Sequence, residues 1–216
     1  MNNNSSKQVV LSIVGVAILV VAIVGVSFAF FTYTRTGGQN NLINTGQLFF
    51  SFDDGASTIN LVNQFPMSDT NGLKLSGNNN VCLFSISGTT TSVVNYTIYG
   101  VAGDAPTGKD KTARFTDSQI KANISATLPT GYTFTSATGA STAKTIEALK
   151  DADKGGKVVL GTGTVTAAAV KDSSAQFTLK MWVSDAVTIA EKGATYTPEA
   201  YGKLYYSMKV VVDATA

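Results

Sequence analysis

A charge-free apolar stretch near the amino terminus constrains this chain more than any other feature. No charged residue occurs between Lys7 and Arg35, and Val9–Phe31 is almost wholly apolar. As a helix these 23 residues would measure about 35 Å at about 1.5 Å each, and a bilayer core is about 30 Å thick. The sequence therefore predicts a membrane segment within residues 1–31. Its apolar residues include Val9, Leu11, Ile13, Ile18, Leu19, Ile23, Phe28 and Phe30.

Two fates are open for this segment. A lysine, an apolar run and the small-residue pattern Ser27-Phe28-Ala29 are typical of a secretory signal peptide, here cleaved between Ala29 and Phe30. The apolar core of a signal peptide usually spans about 7–15 residues, so the length of this stretch favours an uncleaved anchor. In both cases we expect the rest of the chain at the cell surface or outside the cell.

Beyond the apolar stretch, the chain shows the two-residue period of β-strands. In Ile120–Leu128 the apolar residues stand at even positions and polar residues at odd positions, so one face should be core and the other solvent. Turn-forming Gly, Asn, Asp and Ser separate the runs. Eight strands are predicted: Gln47–Asp53, Thr58–Asn63, Val81–Ser87, Val93–Val101, Ile120–Leu128, Lys157–Thr166, Gln176–Ser184 and Lys203–Asp213.

The same patterns predict the domain organisation. The polar, Gly-containing segment 32–41 is interpreted as a flexible linker or a donor segment, and 42–216 as one folded domain. Only Ala143–Asp153 shows helical spacing, through Ile146 and Leu149. Strands with one apolar face must bury it against another sheet. The predicted fold is therefore all-β, an antiparallel β-sandwich or jelly-roll with one short helix, preceded by an N-terminal apolar helix.

The composition excludes most familiar hydrolase chemistry. The chain contains no His and a single Cys82, so it can form neither a Ser-His-Asp unit nor an intramolecular disulfide. The segment Asp151–Gly156 begins like a calcium loop, but Thr162 stands where the bidentate Glu is needed. We expect no catalytic residues, no metal, no cofactor and no small-molecule substrate. A net charge of +2 without a basic run also argues against a nucleic-acid partner.

Three segments carry a resemblance to a known family. They are the leader ending in Ala29-Phe30-Phe31-Thr32, the strand entry Asn41-Leu42-Ile43-Asn44-Thr45-Gly46-Gln47-Leu48-Phe49-Phe50, and the pair Phe84–Gly88 and Val94–Ile98. Over about the first 100 residues this arrangement resembles the TasA/camelysin group of secreted proteins. The resemblance implies a jelly-roll that assembles into extracellular fibres of a biofilm matrix by donor-strand exchange. It places the donor within Phe30–Asn44, with Phe31, Tyr33, Leu42 and Ile43 as donor-strand residues.

These observations leave three hypotheses for the function. The first is a non-enzymatic structural surface protein whose partners are the membrane, further copies of itself or neighbouring structural proteins. The second is a membrane-anchored minor structural protein of a virion, favoured if the apolar segment is retained. The third is a glycan-binding surface module, in which exposed aromatic side chains would stack on sugar rings. Its candidates are Tyr96, Trp182 and Tyr201.

Overall fold

The computed structural model describes residues 13–20, 32–36, 43–44, 48–53, 58–170, 172–186 and 202–215, with backbone alone for 32–36, 43–44 and 48–53. Residues 13–20 form helix α1, and all of its side chains are exposed. Within the described residues, no helix is both long and apolar enough to cross a membrane. Most of the predicted Val9–Phe31 segment lies outside them, so the N-terminal apolar span stays a prediction.

The described part of the chain is mostly β, with one further short helix. The helix α2 covers Asp69–Gly72. Thirteen strands are described: β1 (Thr32–Thr36), β2 (Ile43–Asn44), β3 (Leu48–Asp53), β4 (Thr58–Val62), β5 (Val81–Thr90), β6 (Val94–Ala102), β7 (Ile120–Thr127), β8 (Tyr132–Ser136), β9 (Lys144–Thr145), β10 (Lys150–Asp151), β11 (Lys157–Val165), β12 (Ser174–Val183) and β13 (Tyr205–Thr215).

The strands form two sheets in which every ladder is antiparallel. Sheet A has the order β1-β13-β6-β11-β10, with β4 also paired to β13 and β8 also paired to β11. Sheet B has the order β2-β3-β5-β12-β7-β9. From β5 to β9 each successive strand lies in the other sheet, so the connections cross repeatedly between the two layers. This alternation is the reason that residues far apart in sequence share one core.

The apolar faces of the two sheets pack against each other around Phe177. Its ring stacks on Phe84 of the same sheet, with ring centroids 5.1 Å apart and an interplanar angle of 9°. From sheet A, Phe134 and Tyr96 meet it edge-on, at centroid distances of 5.1 Å and 6.3 Å. Ile98, Leu160 and Val212 from sheet A, and Ile86, Ile124 and Leu179 from sheet B, are fully buried in the same core. The edge-on geometry adds to the apolar burial that holds the layers together.

All eight predicted strands are present, with ends displaced by a few residues. The helix predicted over Ala143–Asp153 is wrong. That segment contains the short strands β9 and β10 and two single 3₁₀ turns, Glu147–Leu149 and Ala152–Lys154. Ile146 and Leu149 are both buried, but their three-residue spacing fits one 3₁₀ turn as well as an α-helix.

Two predictions about the faces of β7 are also corrected. Leu128, assigned to the core, lies just beyond the end of the strand and is 38% exposed. Asn123, assigned to the solvent face, is buried because its amide donates to the carbonyl oxygens of Thr142 (2.7 Å) and Gly139 (3.2 Å). The loop that contains these two acceptors therefore covers part of the outer face of sheet B.

Helix α2 covers another part of that outer face. Trp182 points away from the central core, yet it is completely buried because α2 packs on its indole. Gly72 makes this contact possible, since a Cβ there would lie 2.2 Å from Trp182 Cε2. Lys121 Nζ bonds both carboxylate oxygens of Asp69 at 2.8 Å, and Lys180 Nζ donates to the carbonyl oxygen of Leu73 at 2.7 Å. Two lysines of sheet B thus hold α2 over the tryptophan.

We predict that Gly72→Ala lowers the free energy of unfolding by about 1–3 kcal/mol, because the added methyl group must displace the indole or lift α2. The measurement is urea unfolding followed by tryptophan fluorescence, which reports on the only Trp of the chain. Gly202→Ala is the matched control, since the nearest atom lies 4.0 Å from its Cβ position. Equal stability of the two variants would contradict the prediction.

Candidate functional site: the edge of strand β13

Strand β13 has neighbours along both of its edges, and its second edge is shared by two different strands. On one edge β6 pairs with it from Met208 to Thr215. On the other edge, β4 pairs with Tyr205–Lys209 and β1 pairs with Val211–Thr215. We call the second half of this edge, Val211–Thr215, the acceptor edge. The acceptor edge consists of five residues, each of which lies opposite a residue of β1.

The position of β13 makes a partner along this edge necessary. Its inward side chains Tyr206, Met208, Val210 and Val212 belong to the core. Its outward side chains Tyr205, Ser207 and Val211 are nearly as buried, with exposures of 4%, 0% and 3%. Peptide groups of such a strand have limited access to water, and unpaired buried N–H and C=O groups are costly. A strand beside Val211–Thr215 is therefore part of the stable fold.

Strand β1 is attached to the sheet by this one ladder. Thr32 lies opposite Thr215 and Thr36 lies opposite Val211. Within the described residues, β1 pairs with no strand other than β13. Residues Thr32–Thr36 belong to the segment 32–41 that was interpreted as a linker or a donor segment, and they form a strand paired with β13. Residues 37–42 lie outside the described part of the chain.

The predicted donor residues are distributed over two sheets. Tyr33 lies in β1 opposite Ala214, and so borders the acceptor edge. Ile43 lies in β2 opposite Phe50 in sheet B. Phe31 and Leu42, like the predicted cleavage residues Ala29 and Phe30, lie outside the described residues. Of the predicted donor segment, the part that contacts the acceptor edge is Thr32–Thr36.

An acidic residue stands within the acceptor edge. The Oδ2 atom of Asp213 lies 3.4 Å from Lys157 Nζ, and that ammonium group lies 4.8 Å from the centre of the Tyr99 ring. The Oδ1 atom of Asp213 is buried and has no hydrogen-bond partner among the described side chains. Thr34 of β1 occupies the position directly opposite Asp213. The acceptor edge therefore presents a carboxylate oxygen beside the strand that fills it.

A second polar cluster secures the other end of β13. The Tyr206 hydroxyl donates to Asp117 Oδ1 at 2.7 Å, and Lys150 Nζ donates to Asp117 Oδ2 at 2.8 Å. The guanidinium of Arg114 lies 4.3 Å from the centre of the Tyr206 ring. One carboxylate thus joins β13, the loop 103–119 and the start of β10. No sequence motif marks this cluster, because its members become neighbours only in the folded chain.

Hydrogen bonding sets the proton affinities in this cluster. Burial acts to raise the pKa of the Asp117 carboxyl, but the hydrogen bonds from Lys150 and Tyr206 outweigh it and hold that pKa below its ordinary value. Burial and the bond to Asp117 raise the pKa of the Tyr206 hydroxyl, which stays protonated at any physiological pH. The cluster is thus a charged structural contact in which each oxygen of the Asp117 carboxylate accepts one hydrogen bond.

Two of the three aromatic side chains proposed for sugar stacking are buried. Trp182 is 0% exposed and Tyr96 is 2% exposed, while Tyr201 lies outside the described residues. The Tyr96 hydroxyl donates to the carbonyl oxygen of Thr133 at 2.7 Å. In the described part of the chain, no group of three or more Cys, Asp or Glu side chains is arranged to hold a metal ion. Cys82 is a small buried core residue, 1% exposed.

Comparison with known proteins adds no relative: no family model, no curated protein and no solved structure matches this chain.

We predict that Asp117→Asn lowers the free energy of unfolding at pH 7 by about 1–2 kcal/mol, because charge-assisted hydrogen bonds are replaced by weaker neutral ones. The native-state pKa is depressed, so this contribution is present above the usual Asp pKa of about 4 and is lost as the pH falls through the lower native value. Urea unfolding at a series of pH values measures both effects.

The exposed Asp153 provides the matched control, because Asp153→Asn removes the same charge from a 3₁₀ turn outside the cluster. The difference between wild type and Asp117→Asn should shrink toward acid pH, and that between wild type and Asp153→Asn should stay small throughout. A difference for Asp117→Asn that does not change with pH would show that its ionisation contributes nothing to stability.

Proposed function

We propose that this chain is a non-enzymatic structural protein of the cell surface, brought to the membrane by its apolar N-terminal segment, and that its β-sandwich assembles with further copies by strand addition. In the isolated subunit β1 fills the acceptor edge of its own β13. In the assembly, β1 of one copy pairs with Val211–Thr215 of the next. The observation that carries this proposal is the single ladder by which β1 is held.

Exchange of β1 is energetically plausible because it replaces each bond by an equivalent one. The five pairs from Thr32–Thr215 to Thr36–Val211 have the same main-chain chemistry whether the two strands belong to one copy or two. Swapping an identical element between subunits is accordingly a low-cost route to association. No other described ladder has to break, because β4 keeps its own half of the β13 edge.

The strand order supports a more specific fold for this proposal. Four strands of sheet A follow the order β4-β13-β6-β11, and four of sheet B follow β5-β12-β7-β9. We infer that these eight strands form a jelly-roll, the double-sheet arrangement of two Greek keys. The resemblance of the N-terminal half to the TasA/camelysin group points to the same fold and to assembly by strand exchange.

A disulfide that fixes β1 to its own β13 tests the proposal. Thr36 and Val211 are directly opposed, and opposed residues in antiparallel strands have Cβ atoms about 4.5–5.5 Å apart, close to the spacing that a disulfide bridges. We predict that Thr36→Cys with Val211→Cys, oxidised as a monomer, abolishes the formation of filaments or soluble multimers. Addition of a reductant should restore assembly, as followed by electron microscopy and light scattering.

The matched control fixes the strand that is not exchanged. Thr58 and Lys209 are the opposed pair of β4 and β13, so oxidised Thr58→Cys with Lys209→Cys should assemble like wild type. Undiminished assembly of the oxidised Thr36/Val211 variant would overturn strand exchange. Intermolecular disulfides between positions 36 and 211, formed when assembled material is oxidised, would support it directly.

A further inference from the structure

The end of the sandwich at which β1 begins is defined by the register of the strands. Thr32 lies opposite Thr215, which in turn lies opposite Asn95 at the start of β6. Val94 pairs with Val165 at the end of β11, and Thr127 pairs with Gln176 near the start of β12. The loops 91–93, 128–131 and 166–173 consequently share one end of the domain with the start of β1. We call it the proximal end.

Each of the three proximal loops exposes an aliphatic side chain. Val93 is 52% exposed, Leu128 is 38% exposed and Val170 is 63% exposed. A single exposed aliphatic residue is ordinary on a protein surface. One in each of the three loops makes an exposed aliphatic side chain a shared property of this end.

The two ends of the sandwich also differ in charge. The three proximal loops contain two ionisable residues, the adjacent Lys171 and Asp172, whose charges cancel. The loop 103–119, which follows β6 at the opposite end, carries six: Asp104, Lys109, Asp110, Lys111, Arg114 and Asp117. The proximal end is thus nearly uncharged and the opposite end is strongly polar, which is the polarity expected of a domain with one face toward an apolar phase.

Hydrogen bonds hold the proximal loops in place without a partner. The amide of Thr166 donates to the carbonyl oxygen of Gly131 at 2.9 Å. The Tyr132 hydroxyl lies 3.0 Å from the carbonyl oxygen of Ser173 and accepts from the amide of Gly88 at 2.9 Å. Gly131, at φ +88°, lets its loop lie directly against the backbone of Ala169. Leu128 and Val170 therefore lie in two loops that are bonded to each other.

The apolar N-terminal stretch ends immediately beside this surface. Its last residue, Phe31, directly precedes Thr32, the first residue of β1. Each residue of extended chain spans at most about 3.3–3.6 Å, so no spacer separates the predicted membrane segment from the proximal end. A bilayer that holds this segment must lie next to loops 91–93, 128–131 and 166–173.

We propose that the proximal end rests on the lipid surface, with Val93, Leu128 and Val170 inserted at the boundary between headgroups and acyl chains. This inference rests on the membrane segment of the proposed function and does not depend on strand exchange. The charged loops then face away from the membrane, and β1 leaves the bilayer directly into the sheet. An anchored subunit would in this way be held upright by its loops as well as by its anchor.

Probes at single cysteines test the orientation in the full chain. Val93→Cys and Val170→Cys are labelled with an environment-sensitive fluorophore and reconstituted into phosphatidylcholine vesicles. Wild type treated with the same fluorophore is the control for Cys82, which is buried and should not react. Nitroxide lipids labelled about 5–10 Å below the headgroup boundary, the depth that interfacial segments reach, should quench roughly half of the emission at both positions. Ala148→Cys, exposed at the opposite end, is the matched control and should not be quenched.

Each outcome decides the proposal. Quenching at positions 93 and 170 but not at 148, in protein whose intact mass includes residues 1–31, supports it. Emission at 93 and 170 that is as unquenched as at 148 overturns it. A change of emission at positions 93 and 170 that follows the amount of protein per vesicle, and not the content of nitroxide lipid, also overturns the proposal. A second copy of the chain would then cover the loops. A failure to form filaments would count against strand exchange and leave this measurement unaffected.

Discussion

The structure depends on one constraint, which is that β13 is buried on both faces and needs main-chain partners along both edges. Strand β6 supplies one edge over eight residues, from Met208 to Thr215. The other edge is divided between β4 and β1. Strand β1 comes from the N-terminal part of the chain. The strand that completes sheet A is therefore also the one nearest to the apolar segment.

In the proposed function, this placement connects membrane attachment and assembly to folding through the five residues of β1. Thr32–Thr36 both closes the acceptor edge and connects the sandwich to the stretch that is predicted to enter a bilayer. While that stretch remains in a membrane, β1 is held at the proximal end and its own β13 is the nearest acceptor. Release of the stretch by cleavage would free β1 at one end, which gives the two predicted fates of the leader different consequences for assembly.

The contacts that stiffen the domain elsewhere are long-range and could not be expected from local pattern. Asp117 joins Tyr206 and Lys150, and Gly72 allows a four-residue helix to cover Trp182. Trp182 lies on the outer face of sheet B, and no local pattern predicted that α2 would bury it. Likewise the even-numbered period of β7 predicted Ile120 and Ile124 as core residues and failed at Leu128, because the strand ends one residue earlier.

By itself the sequence determined the predominance of β-strands, the eight main strands and the inward positions Ile120 and Ile124 of β7, because two-residue alternation is a local consequence of the pleat. It also defined an uncharged apolar stretch and the absence of histidine chemistry. Only the tertiary structure decided which strands are neighbours, that Thr32–Thr36 is paired with Val211–Thr215, and that three loops with exposed aliphatic residues share the end where β1 begins. Those facts depend on the pairing of residues nearly 180 positions apart, and the side-chain pattern of a single strand does not specify its partner strand.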